Sequence, residues 1–90
     1  MKIRWTEKAA TQLEQIAVFI SHDKPEAAAG VIVNIIKHTG QLMNFPNSGR
    51  PGRKKGTREL VIAGTPFTVI YKQNSEVIEI ISVFHNAMMP

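Results

Sequence analysis

Cysteine is absent from the 90 residues, which excludes a disulfide framework, a thiolate metal site and a thiol nucleophile. That absence fits a reducing compartment, and a cytoplasmic location is expected. Long apolar runs are also missing: nothing approaches the ~20 residues that a membrane span needs. The opening Met1-Lys2-Ile3-Arg4-Trp5 carries no apolar leader segment, so no membrane partner is expected. Metal-ligand spacing is lacking among His22, His38 and His85, and Glu7, Glu14, Glu76 and Glu79 form no carboxylate pair. Neither a metal nor a cofactor is expected. There is no internal repeat and no low-complexity tract. What remains is 43% hydrophobic and only 20% charged, the balance of a folded chain, and residues 1–90 have the length of one domain.

The charge is unevenly spread. Of eleven basic residues, five fall between Arg50 and Arg58 with no acid among them, and the net charge is +4. The flanking segments nearly balance, so the basic character resides in Arg50, Arg53, Lys54, Lys55 and Arg58. Pro51, Gly52 and Gly56 punctuate that stretch as a stiff turn would require. A sequence pI of 9.8 favours an acidic partner, either nucleic acid or an acidic protein segment.

Periodicity supplies the scaffold. Lys2 to Trp5 alternates as a short strand. Thr6 caps a helix running to about Ser21, whose stripe is Ala9, Leu13, Ile16, Ala17 and Ile20. Pro25 restarts a second helix, whose stripe from Ala28 through Val31, Ile32, Ile35 and Ile36 to Leu42 and Met43 extends to about Phe45. Gly30 and Gly40 are expected to pack closely against a neighbour, with a bend in the chain as the other reading of Gly40. Three strands follow: Thr57 to Ile62, Phe67 to Lys72 and Val77 to Phe84. A hairpin turn at Asn74-Ser75 joins the last two. On the last strand simple alternation puts Ile78, Ile80 and Phe84 on one face and Glu79, Ile81, Val83 and His85 on the other. The expected fold is therefore α+β, β-α-α-β-β-β, with an antiparallel helical hairpin packed on a curved, mainly antiparallel four-stranded sheet.

Four motifs in this order resemble those of RelE/ParE-superfamily toxins, the toxin halves of type II toxin–antitoxin pairs. They are Asp23-Lys24-Pro25-Glu26-Ala27-Ala28 between the helices, and Arg50-Pro51-Gly52-Arg53 followed by Gly56-Thr57-Arg58-Glu59-Leu60. Pro66-Phe67-Thr68-Val69-Ile70-Tyr71 and the closing Val83-Phe84-His85 complete the set. The resemblance covers nearly the whole chain. It implies a cognate antitoxin as partner, with operator DNA met only through that antitoxin. It also implies one of two targets: ParE-like members bind DNA gyrase, whereas RelE-like members act with the ribosome to cleave mRNA. The nuclease members use basic residues on the sheet face, a third-strand arginine and a C-terminal tyrosine, histidine or arginine. Thr68 stands where that arginine would be, and the tail Asn86 to Pro90 has neither tyrosine nor charge, which favours the ParE-like reading. Under the nuclease alternative Arg58 and His85 would be the catalytic pair.

The residues carry their own alternatives. The Arg50–Arg58 cluster could bind phosphate or a target, dock the antitoxin, or stand as a solvated loop. Arg58 could lie on an open sheet face or pair with Glu59 or Glu79 on a rim. His85 could move a proton, as imidazoles do near neutrality, or simply hydrogen-bond at a strand end. Tyr71, alternating with Phe67 and Val69, reads as a core residue with base stacking as its alternative, and Trp5 reads as a core anchor. Met88 and Met89 either pad a groove or fray. A plain nucleic-acid-binding module, with salt-dependent affinity and no toxicity, is the remaining class.

Overall fold

The computed structural model describes residues 1–88. It contains β1 (Lys2–Trp5), α1 (Glu7–Asp23), α2 (Pro25–Gly40), a 3-10 turn (Gln41–Met43), β2 (Arg50–Pro51), β3 (Arg58–Val61), β4 (Phe67–Asn74), β5 (Val77–His85) and a closing 3-10 turn (Asn86–Met88). The strands form one mixed sheet in the order β1-β5-β4-β3-β2, with β1 parallel to β5 and every other pairing antiparallel. The two helices pack against each other and α1 lies on β5, so the hairpin covers one sheet face. Between the layers sits a core of Ala9, Ile35, Leu42, Ile62, Phe67, Val69, Tyr71, Ile78, Ile80 and Val83. The other face is open.

The α+β architecture follows the expected element order, with several corrections. The sheet has five strands, not four, because Arg50 and Pro51 pair with Glu59 and Arg58. Two residues are too few to show any alternation, so β2 is invisible to periodicity. The second helix ends at Gly40 rather than near Phe45. Asn44 and Phe45 both direct their N–H groups to the Gln41 carbonyl, tightening the chain into a turn that still buries Leu42. Gly30 and Gly40 have open space where a Cβ would be, so they do not serve close packing; Gly49 and Gly52 do. The β4–β5 turn is Ser75-Glu76, since Asn74 pairs with Val77 and Ser75 carries the positive φ of 57°.

The most consequential correction is a β-bulge. Tyr71 faces Ile80, yet Ile70 faces Ser82, which leaves Ile81 as an extra residue in β5. Side-chain parity reverses there. Val83 therefore joins Ile78 and Ile80 in the core, while Phe84 pairs with Thr68 on the opposite face.

β1 ends at Trp5, so the upper half of β5 needs other partners for its outer edge. Thr6 supplies two: its N–H reaches the Ile80 carbonyl at 3.0 Å and its hydroxyl the Ile81 carbonyl at 3.2 Å, while the same Oγ1 caps α1 by accepting the Ala9 N–H. One turn further on, Gln12 Oε1 accepts the Val83 N–H at 2.9 Å and the Ser82 hydroxyl at 3.1 Å. The helix is thereby tied to the strand as well as packed on it.

Candidate functional site

The open face of the sheet carries the side chains that alternate away from the core: Glu59 on β3, Thr68, Ile70 and Lys72 on β4, and Glu79, Ile81, Ser82 and Phe84 on β5. Ile70, Ile81 and Phe84 make an apolar floor. Along one side stands the β2–β3 hairpin with Arg53, Lys54 and Lys55 at its tip. Thr6 and Lys8, at the start of α1, stand on the groove's border, and Met88 of the closing turn lies at its rim. Together these enclose a groove of about 680 Å³. Five of the chain's eleven cations line it, against two carboxylates.

Both carboxylates are already engaged. Glu59, only 5% exposed, holds Arg50 at 3.2 Å. Glu79 pairs with Arg4 across the parallel β1–β5 ladder and with Lys72 at 3.8 Å. Arg53, Lys54, Lys55 and Lys8 form no ion pair among the described residues, so their charge faces solvent and any incoming anion.

The hairpin tip is rigid for a local reason. Gly52 donates to the Thr57 carbonyl at 2.8 Å, and both the N–H and the hydroxyl of Thr57 bond to the Lys54 carbonyl. A Cβ on Gly52 would fall 2.3 Å from Thr57 Oγ1, so only glycine closes this loop without displacing Thr57. Three cations are thus presented by a preformed turn rather than by a loose segment.

The structure separates the basic residues that the sequence groups together. Arg53, Lys54 and Lys55 reach the groove. Arg50 spends its guanidinium on Glu59. Arg58 lies opposite Tyr71, on the face that the helices cover, and takes neither of the two positions expected of it. Its Nη1 donates to the Gly49 carbonyl at 2.7 Å, and neither Glu59 nor Glu79 is its partner. His85 stacks edge-on against Phe67, ring centroids 5.5 Å apart, and its Nδ1 accepts the Ala87 N–H. Arg58 and His85 pair with Tyr71 and Phe67, four residues apart on β4 and on opposite flanks of that strand. Their Cα atoms are thus roughly 15 Å apart from strand dimensions. They do not share a site. Thr68 is buried and donates to Asn86 Oδ1, anchoring the closing turn.

Several groove residues lay outside the charge cluster. Lys72 and Glu79 were readable only as polar positions of alternating strands, and Ile81 and Phe84 join one face only because of the bulge. Lys8, on the exposed side of a helix, gave no signal. Met88 lies at the groove rim, whereas Met89 lies outside the described residues. No group of three metal-ligating side chains occurs among the described residues.

The sequence model described as ParE toxin of type II toxin–antitoxin system, parDE, matches residues 3–90. The chain is 44% identical over 84 residues to the candidate toxin Y4kP of Sinorhizobium fredii, covering 93% of this chain and 86% of that protein. Among solved structures it resembles a chain of the chromosomal ParDE toxin–antitoxin system from P. aeruginosa. That match has a TM-score of 0.87 and 26% identity, and covers 94% and 95% of the two chains. It also resembles a chain of the RelBE2 toxin–antitoxin complex from Mycobacterium tuberculosis, with a TM-score of 0.64, 25% identity and coverage of 93% and 95%.

Proposed function

The chain belongs to the ParE toxin family of type II toxin–antitoxin systems, and from that premise we propose that it arrests growth by binding DNA gyrase in the cytoplasm. A cognate antitoxin neutralises it. The observation that carries this reading is the groove itself, with unpaired Arg53, Lys54 and Lys55 beside an apolar floor of Ile70, Ile81 and Phe84. An apolar floor flanked by cations suits an amphipathic, acidic protein segment, whose side chains meet the floor while its carboxylates meet the lysines. A bare phosphate backbone would leave the floor uncovered and would approach Glu59 and Glu79.

Cleavage of RNA without a metal needs a base for the 2′-hydroxyl, a cation at the phosphate and an acid at the leaving oxygen within reach of one another. Arg58 is committed to a backbone carbonyl and His85 to Phe67 and Ala87, in separate places. The proposed activity is therefore binding, with no bond made or broken by this chain. The test is a supercoiling assay with purified gyrase. Inhibition that added antitoxin reverses is expected. Uninhibited gyrase, with growth arrest and cleaved mRNA on induction in cells, would replace this reading with the ribosome-dependent endoribonuclease.

A further inference from the structure

We infer that Arg58 and Tyr71 are positioning residues: from the covered face of the sheet they clamp residues 46–49 and so set the pose of the cationic hairpin, without touching its ligand. This inference rests on the groove as the binding site. Arg58 and Tyr71 stand opposite each other on β3 and β4, and both reach the chain just before β2. The Tyr71 hydroxyl donates to the Pro46 carbonyl at 2.7 Å and accepts the Gly49 N–H at 2.9 Å. The Arg58 guanidinium holds the other side of the same glycine through its carbonyl at 2.7 Å, with the Asn47 carbonyl at 3.5 Å. Gly49 is seated so closely that a Cβ would lie 2.8 Å from the Tyr71 ring and hydroxyl.

The hairpin needs such a clamp. β2 pairs with β3 over only two residues, and Pro51 contributes no N–H to that ladder. Beyond β2 the tip is closed by its own hydrogen bonds, which fix its shape but not its angle to the sheet. The clamp supplies the angle. Tyr71 is fully buried and Arg58 half-buried, and neither lines the groove, so any influence they have on binding passes through the hairpin. Three cations held in one pose bind an acidic segment without the cost of ordering a mobile arm.

The full chain is tested as the variants Arg58→Gln, Arg58→Lys and Tyr71→Phe, and as an Arg53→Ala/Lys54→Ala/Lys55→Ala triple variant with and without Arg58→Gln. Two quantities are read: amide exchange of residues 50–57, and affinity for a fluorescein-labelled polyglutamate peptide at low salt. Arg58→Gln and Tyr71→Phe are each expected to speed hairpin exchange and to weaken the peptide about tenfold, the scale of one charge-assisted hydrogen bond for Arg58 and of two neutral ones for Tyr71. Exchange in the rest of β4 and in β5 should stay as it was. In the triple background Arg58→Gln should cost nothing further. Arg58→Lys keeps the charge but replaces the planar fork with a single ammonium, and is expected to leave the hairpin fast-exchanging.

Unchanged hairpin exchange in Arg58→Gln and Tyr71→Phe would overturn the clamp. So would an Arg58→Gln loss as large in the triple background as in wild type, since that is the mark of direct contact. If Arg58→Gln does not fold, Arg58→Lys and Tyr71→Phe are read by the same criteria. Peptide affinity untouched by the triple variant would instead refute the groove reading, and hairpin exchange would still judge the clamp.

Discussion

Gly49 shows how closely a single residue can be held in this fold. Its N–H and carbonyl are both bonded to side chains, Tyr71 and Arg58, and its Cα faces the Tyr71 ring. A methyl group there would also meet the Glu59 carbonyl at 2.9 Å, and a backbone atom in the middle of a sheet has little room to retreat. Gly49→Ala should therefore destabilise the protein by about 2 kcal/mol, in the range for overpacking a filled site. Urea denaturation gives the answer, and an unchanged midpoint would show that the loop relaxes freely. Tyr71 was legible as a core residue from its alternation with Phe67 and Val69. That its hydroxyl would organise a loop more than twenty positions upstream was not, because nothing local to Tyr71 points there. Arg58 misled for a related reason. It lies in a basic run but also within a strand, and the strand's parity, not the run, decides which face it joins.

At the scale of elements, the join between α1 and β5 matters most. β1 stops at Trp5 while β5 continues to His85, and the exposed edge is filled by Thr6 and Gln12. Gln12 stands in for a missing strand. Gln12→Leu keeps the side-chain bulk but leaves the buried Val83 N–H without an acceptor, which should cost about 1–3 kcal/mol. Faster exchange of the Val83 amide, with the Ile78 and Ile80 amides unaffected, would locate that loss at the edge; uniform acceleration would mean that the whole sheet had loosened instead. The helices and the strands β1, β3, β4 and β5 could be read from periods of 3.6 and 2, because each has one face committed to the core. The bulge at Ile81 could not. Ile80, Ile81 and Val83 are all aliphatic, so the sequence looks the same whether parity slips there or not.

The whole molecule is electrically lopsided. Five cations gather at the groove, while Glu14, His22 and Asp23 border a separate surface on α1 where Val18 and Phe19 are exposed. Binding at the groove should depend on salt. Replacing Arg53, Lys54 and Lys55 by alanine is expected to weaken antitoxin binding at low salt and to flatten its salt dependence, with folding intact because these side chains are exposed. Measured affinities across a salt series decide this. An affinity and a salt slope left unchanged by the triple substitution would assign the binding energy to the apolar floor alone.

The sequence by itself determined the layered architecture, the order of long elements and the family, because each rests on local periodicity or on motifs contiguous along the chain. It also determined that charge would concentrate at residues 50–58. Only the tertiary structure decided what that charge does. Pairing with Glu59 withdrew Arg50, strand parity turned Arg58 to the covered face, and a preformed turn left Arg53, Lys54 and Lys55 at a groove. Ile81 and Phe84 reached the same groove through one inserted residue. Such outcomes depend on register, and register is settled by partners distant in the chain.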